Sequence, residues 1–128
     1  MDILVFIGRI LFSAIFIGSG VQHITRVGMM SPHAGAKGVP APNIMVRLAG
    51  AVVFVGGISI LLGVHARIGA ALLVIFLIPT AIVMHNYWTL SDPRARANDQ
   101  AHFFKDLALA GAALLVWYFG SGPLSLVP

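Results

Sequence analysis

Four apolar runs, each close to the length that crosses a bilayer, dominate this chain and leave little room for any other fold. They occupy residues 3–21, 44–64, 68–86 and 103–120. A hydrocarbon layer about 30 Å thick takes roughly 20 helical residues. Backbone polar groups in lipid must be paired within the segment, so runs of this length predict helices. The stretch 68–84 has 17 residues and no charge. Only 9 % of the 128 residues are charged and 59 % are hydrophobic, whereas a soluble domain carries about a quarter charged residues. The expected fold is therefore all-α: one integral membrane domain over residues 1–128, a four-helix bundle running up-down-up-down.

The segments between the runs are of three kinds. Residues 22–43 form a connector containing Gly28, Pro32, Gly35, Gly38, Pro40 and Pro42. Such a Gly/Pro-rich stretch cannot hold a continuous helix, because each proline removes a donor and disfavours helical backbone before it. His65-Ala66-Arg67 reads as a tight turn. Residues 91–100 are the most polar passage and read as a solvated loop, while Gly120-Ser121-Gly122-Pro123 reads as a helix stop. Pro79 predicts a kink in the third span. Gly50 with Gly57, Ala66 with Ala70, and Ala108 with Ala112 are small residues at helical spacing, suited to close helix packing in lipid. A cleaved signal peptide over the first span is disfavoured by the acidic Asp2 and the lack of an Ala-x-Ala pattern.

Charge and cysteine usage narrow the function. The eight cations and four acids give +4, and there is no cysteine, so disulfide and thiolate chemistry are excluded for this chain alone. The cations lie in the gaps between apolar runs, where topology and anionic lipid account for them, and no nucleic-acid motif is present. Arg26, Lys37, Arg47, Arg94, Arg96 and Lys105 fall on one side of the membrane, against Arg9 and Arg67 on the other. The excess of cations places the longer connectors in the cytoplasm and both termini outside.

The chemistry-bearing residues gather around 85–106. His85 and Trp88, three apart, are expected on one helical face; His102, Lys105 and Asp106 are expected on another. His23, at the end of the first span, is expected on the same side of the membrane. One reading makes these residues an interfacial belt of aromatic and basic groups. The other makes His85, Trp88, His102, Phe104, Lys105 and His23 a headgroup-level pocket for a quinone. Imidazole and ammonium donors would then face the carbonyls, and aromatic walls the ring. A bis-histidine haem between His85 and His102 is the weaker cofactor reading, and a three-histidine metal site including His23 is weaker again.

The chain resembles the DoxX family of small four-helix membrane proteins. The likeness is carried by Arg9-Ile-Leu-Phe12, Gly18-Ser-Gly20, Gly38-Val-Pro40-Ala-Pro42, Leu48-Ala-Gly50, Gly56-Gly57 and Leu61-Leu-Gly63. It continues through His85-x-x-Trp88, Phe104-Lys105-Asp106-Leu107-Ala-Leu109-Ala-Gly111 and Gly122-Pro-Leu-Ser125. It departs from the family pattern where His23 stands for a lysine, Val53 for a glutamate and Asp106 for an asparagine. The resemblance implies a membrane subunit of a redox assembly in a bacterial inner membrane, an anchor facing the quinone pool while a partner carries the electrons. The alternative is a non-catalytic accessory subunit of another membrane complex, acting through its small-residue helix faces. Oligomeric state is left open.

Arg9 stands about two turns inside the first span, where a charge needs a partner or a route to water. It either snorkels to the outer surface or forms an ion pair with Asp106, the only acid within a span.

Overall fold

The computed structural model describes residues 1–127. Four of its helices are long and apolar enough to cross a membrane. The helices are α1 (Asp2–Thr25), α2 (Val27–Ala36), α3 (Pro42–Leu62), α4 (Ala66–Met84) and α5 (Pro93–Phe119), with a single 3-10 turn at Tyr87–Thr89. The long helices alternate in direction. α1 packs on α3, α3 on α4, and α4 on α5, which is the up-down-up-down bundle expected from the apolar runs.

Two elements lie where the sequence points to loops. The Gly/Pro-rich connector contains α2, a ten-residue helix with Pro32 inside it. The chain bends between α1 and α2 at Arg26, and Pro42 opens α3 at its first turn, where a missing N–H costs nothing. The polar passage 91–100 is likewise helical, because α5 begins at Pro93. Asp92 caps it, its carboxylate accepting the Ala95 N–H at 3.0 Å. α5 has 27 residues and is about 40 Å long, against a hydrocarbon layer of about 30 Å. The excess length falls where its first turns carry the polar residues 93–100. α4 runs through Pro79 without interruption.

Packing is inverted relative to a soluble protein. Phe16, Val53, Ile60, Leu73, Leu77, Ala110 and Ala113 form the interior cluster, while Leu4, Leu11, Ile44, Ile68, Ile75 and Leu115 are exposed on the outer face, where acyl chains would meet them. The α1–α3 seam is closed by Gly20 and Gly50. A Cβ on Gly20 would lie 2.6 Å from the Phe54 Cβ and 2.8 Å from the Gly50 carbonyl oxygen. Of the small pairs seen in the sequence, Gly50 and Gly57 meet α1 and Ala66 and Ala70 are buried. Ala108 lies on the outside of α5, where Ala110 and Ala113 make the contact instead.

After α5 the chain turns back over the α3–α4 corner, where Val127 makes a parallel bridge to Val64. Gly63, at φ 67°, has no room for a side chain, since a Cβ would lie 2.5 Å from Ser125. This return segment solvates Arg9. One terminal nitrogen of the guanidinium donates to the carbonyls of Ser121 (3.1 Å) and Pro123 (2.7 Å) and to Ser125 Oγ (3.0 Å). The other donates to the carbonyls of Leu61 (3.1 Å) and Leu124 (2.9 Å). The Phe6 ring lies 5.3 Å away, in cation–π range. Arg9 is only 5 % exposed, so it does not snorkel. The ion pair expected with Asp106 does not form: Asp106 belongs to the opposite end of the bundle, where it faces Lys105 and His85.

Candidate functional site

The site grows from one face of α5. Asp99, His102 and Asp106 follow at spacings of three and four, so they stand in a row on a helix that starts at Pro93. The same row continues into the interior as Ala110 and Ala113, so its upper members approach the aqueous end and its lower members enter the bundle. α4 ends at Met84, and His85, its C-terminal cap with φ −119° and ψ 44°, brings its imidazole onto that face. Lys37, the C-terminal cap of α2, reaches in from the third side.

These side chains form a chain in which two carboxylates alternate with two lysines and an imidazole. His85 Nδ1 stands 3.5 Å from Asp99 Oδ1 and its Nε2 3.7 Å from Asp106 Oδ2. Lys37 Nζ donates to Asn86 Oδ1 at 2.6 Å and lies 3.9 Å from Asp99 Oδ2. Lys105 Nζ is 3.7 Å from Asp106 Oδ1 and 3.3 Å from His102 Nδ1. The His85 and His102 rings stack face to face, centroids 5.0 Å apart and planes 22° from parallel. Asp106 is 5 % exposed, and its Oδ2 has no hydrogen-bond partner among the described residues. Each aspartate thus has one oxygen toward a lysine and one toward His85.

The residues expected to share one pocket fall into three places. His85, His102 and Lys105 do come together. Trp88 does not share a helical face with His85, because α4 has ended; it packs edge-on to Tyr87 and Phe103 at 5.4 and 5.5 Å. Phe104 lies 5.2 Å from Phe103 and 6.3 Å from Tyr87, so Tyr87, Trp88, Phe103 and Phe104 make an aromatic patch beside the polar cluster. Arg96 covers Tyr87 at 5.8 Å. His23 is engaged elsewhere, with Nδ1 2.7 Å from the Ser19 carbonyl oxygen and its ring edge-on to Phe76. Two apolar grooves, of about 380 and 440 Å³, run along α1–α3 and α3–α4 and involve none of the cluster.

Asp99, Lys37 and Asn86 were not legible as site residues. Asp99 could have been found from Asp92-Pro93, a capping signature that starts the helix ten residues early and aligns Asp99 with His102 and Asp106. The stacked imidazoles do not suit a haem, because rings facing by their flat sides cannot aim a nitrogen each at one iron between them.

A family model described as DoxX matches residues 4–86. The chain belongs to the DoxX family. It is 29 % identical over 124 residues to a DoxX relative, the inner membrane protein YphA of Escherichia coli (strain K12), an alignment covering 97 % of this chain and 88 % of that protein. No solved structure matches. Together with the four spanning helices, this makes the chain an integral membrane protein of the DoxX family. The DoxX match ends at the capping residues His85 and Asn86, so the family model covers His85 but not the α5 half of the site.

Proposed function

We propose that this DoxX protein is the membrane subunit of a redox assembly and that its polar end receives the headgroup of a quinone. The observation that carries the reading is His85, stacked on His102 and facing a carboxylate from each ring nitrogen, beside an aromatic patch at the polar end of the bundle. A quinone needs donors at its carbonyls and an apolar surface for its ring. His102 and Lys105 supply the donors, and exposed Trp88 and Phe104 supply the surface. Electrons pass to a partner. Arg26, Arg47, Arg94 and Arg96, all exposed at this end, offer that partner or anionic lipid a basic face. The setting is a bacterial inner membrane with both termini outside the cytoplasm.

Lipid extraction after purification in mild detergent, with titration of a short-chain quinone against tryptophan fluorescence, tests this reading. Quenching that disappears in Trp88→Phe and weakens at least tenfold in His102→Ala and Lys105→Ala supports it; no bound quinone and no quenching sinks it. In intact cells Leu126→Cys should react with an impermeant label and Ser91→Cys should not.

A second reading, an accessory subunit working through helix contacts, is favoured by Gly8 and Gly18 on α1 and Gly111 on α5. A Cβ at any of them would meet nothing within 4 Å, so a neighbouring helix could approach closely there. Stable co-purification with a larger complex, with no quinone, would favour it.

A further inference from the structure

We infer that Asp99, His85 and Asp106 form a proton relay that connects the aqueous end of the bundle to a carboxylate inside it. The geometry is directional. Asp99 stands on the turns of α5 nearest the polar end and is part-exposed, whereas Asp106, two turns further in, is buried. Between them is the one side-chain type that can take a proton on one atom and give it up from another. His85 presents Nδ1 to the outer carboxylate and Nε2 to the inner one. No other imidazole here has that disposition: His102 lies against His85 and Lys105, and His23 against its own helix.

The remaining charges hold the relay open without interrupting it. Lys37, from α2, faces the outer oxygen of Asp99, and Lys105 faces the outer oxygen of Asp106. The oxygens turned toward His85 are thereby left for proton exchange, and Asp106 Oδ2 has no competing hydrogen bond among the described residues. His102 covers one flat face of His85 and limits ring tilting. The separations of 3.5 and 3.7 Å are longer than transferring hydrogen bonds, as resting proton-transfer sites commonly are, and tighten with small side-chain rotations.

The step balances. A proton taken up by the Asp99 carboxylate passes to His85 Nδ1. The resulting imidazolium releases its Nε2 proton to Asp106 Oδ2. Asp99 is again ionised, Asp106 is a neutral acid, and His85 is neutral with its proton on Nδ1. The reverse sequence carries a proton outward and restores the first tautomer. The relay rests on the polar end being the functional site, but not on quinone being its ligand.

A pH jump on the full-length protein in nanodiscs, free of quinone and followed by time-resolved infrared detection of the Asp106 carboxyl, tests the relay. Asp106→Asn identifies the band. Asp99→Asn, nearly isosteric and at the half-buried rim, and His85→Gln are each expected to slow its response by about 100-fold, the lower end of what a positioned proton-transferring group supplies. Unchanged helicity by circular dichroism confirms that the variants are folded. A band that ignores pH, or that responds in both variants as fast as in the parent, overturns the relay. Because quinone is absent, a working relay with no quinone binding would refute the ligand assignment alone.

Discussion

The bundle buries charge at both ends and compensates it by opposite means. At the Arg9 end a single permanent cation is surrounded by four main-chain carbonyls and one hydroxyl, with no carboxylate among its partners in the described residues. The five acceptors of this cage do not titrate, and the arginine stays protonated. At the other end two aspartates face two lysines and two histidines through side chains alone. Oxygens fixed by the backbone make a lock; side chains able to exchange protons leave a surface open to chemistry. Within one fold, permanence of charge separates the structural end from the chemical end.

The comparison breaks first at Arg9. Arg9→Ala removes all five hydrogen bonds and releases the return segment, with an expected loss of about 3–5 kcal/mol, as for removal of one partner from a buried charged network. Arg9→Lys should recover only part of it, since an ammonium cannot span two sets of acceptors. Denaturant unfolding in mixed micelles measures both.

Next in size is Asp106→Asn, expected to cost about 1–3 kcal/mol by leaving Lys105 and His85 without their buried acceptor. Combined with Arg9→Gln, its effect should be additive within about 0.5 kcal/mol, because the two sites share no partner. Coupling of more than about 1 kcal/mol would mean that the ends communicate and that the division of labour is wrong.

Lys37→Ala tests whether α2 matters to the chemical end. It should cost about 0.5–1 kcal/mol, less at high salt, since the ammonium is only partly buried. The smallest effect belongs to Gly111→Ala, on the exposed face of α5. Removing a helix-interior glycine should stabilise the isolated chain by less than about 1 kcal/mol. A loss of co-purifying protein in the same variant would show that the outer face is in use.

The four spans were legible because lipid demands long apolar runs, and the sequence has little else. α2 and the opening turns of α5 were not, because glycine, proline and charge obscure the periodicity on which such readings depend. Asp92-Pro93 announced the start of α5 but lay in a passage polar enough to resemble a loop. The cluster was half legible: His85, His102 and Lys105 are conspicuous residue types in an apolar chain, whereas Asp99 gains meaning only once the helix is started at Pro93. The surroundings of Arg9 were illegible in principle. Its partners are mostly backbone carbonyls, which every residue carries, so residue types point to Asp106, the only spanning acid, and the return segment answers instead.

That return segment also bears on how the protein is made. The acceptors around Arg9 come mainly from residues 121–125, between 112 and 116 positions further along the chain. α1 must therefore enter the bilayer with its cation unsolvated by the groups that finally hold it, and keep it so while three more spanning helices emerge. A nascent chain arrested before Gly120 would hold Arg9 open to lipid phosphates or to an insertion factor. Synthesis of residues 121–125 then closes the fold around Arg9, making emergence of the return segment and burial of that cation a single late event.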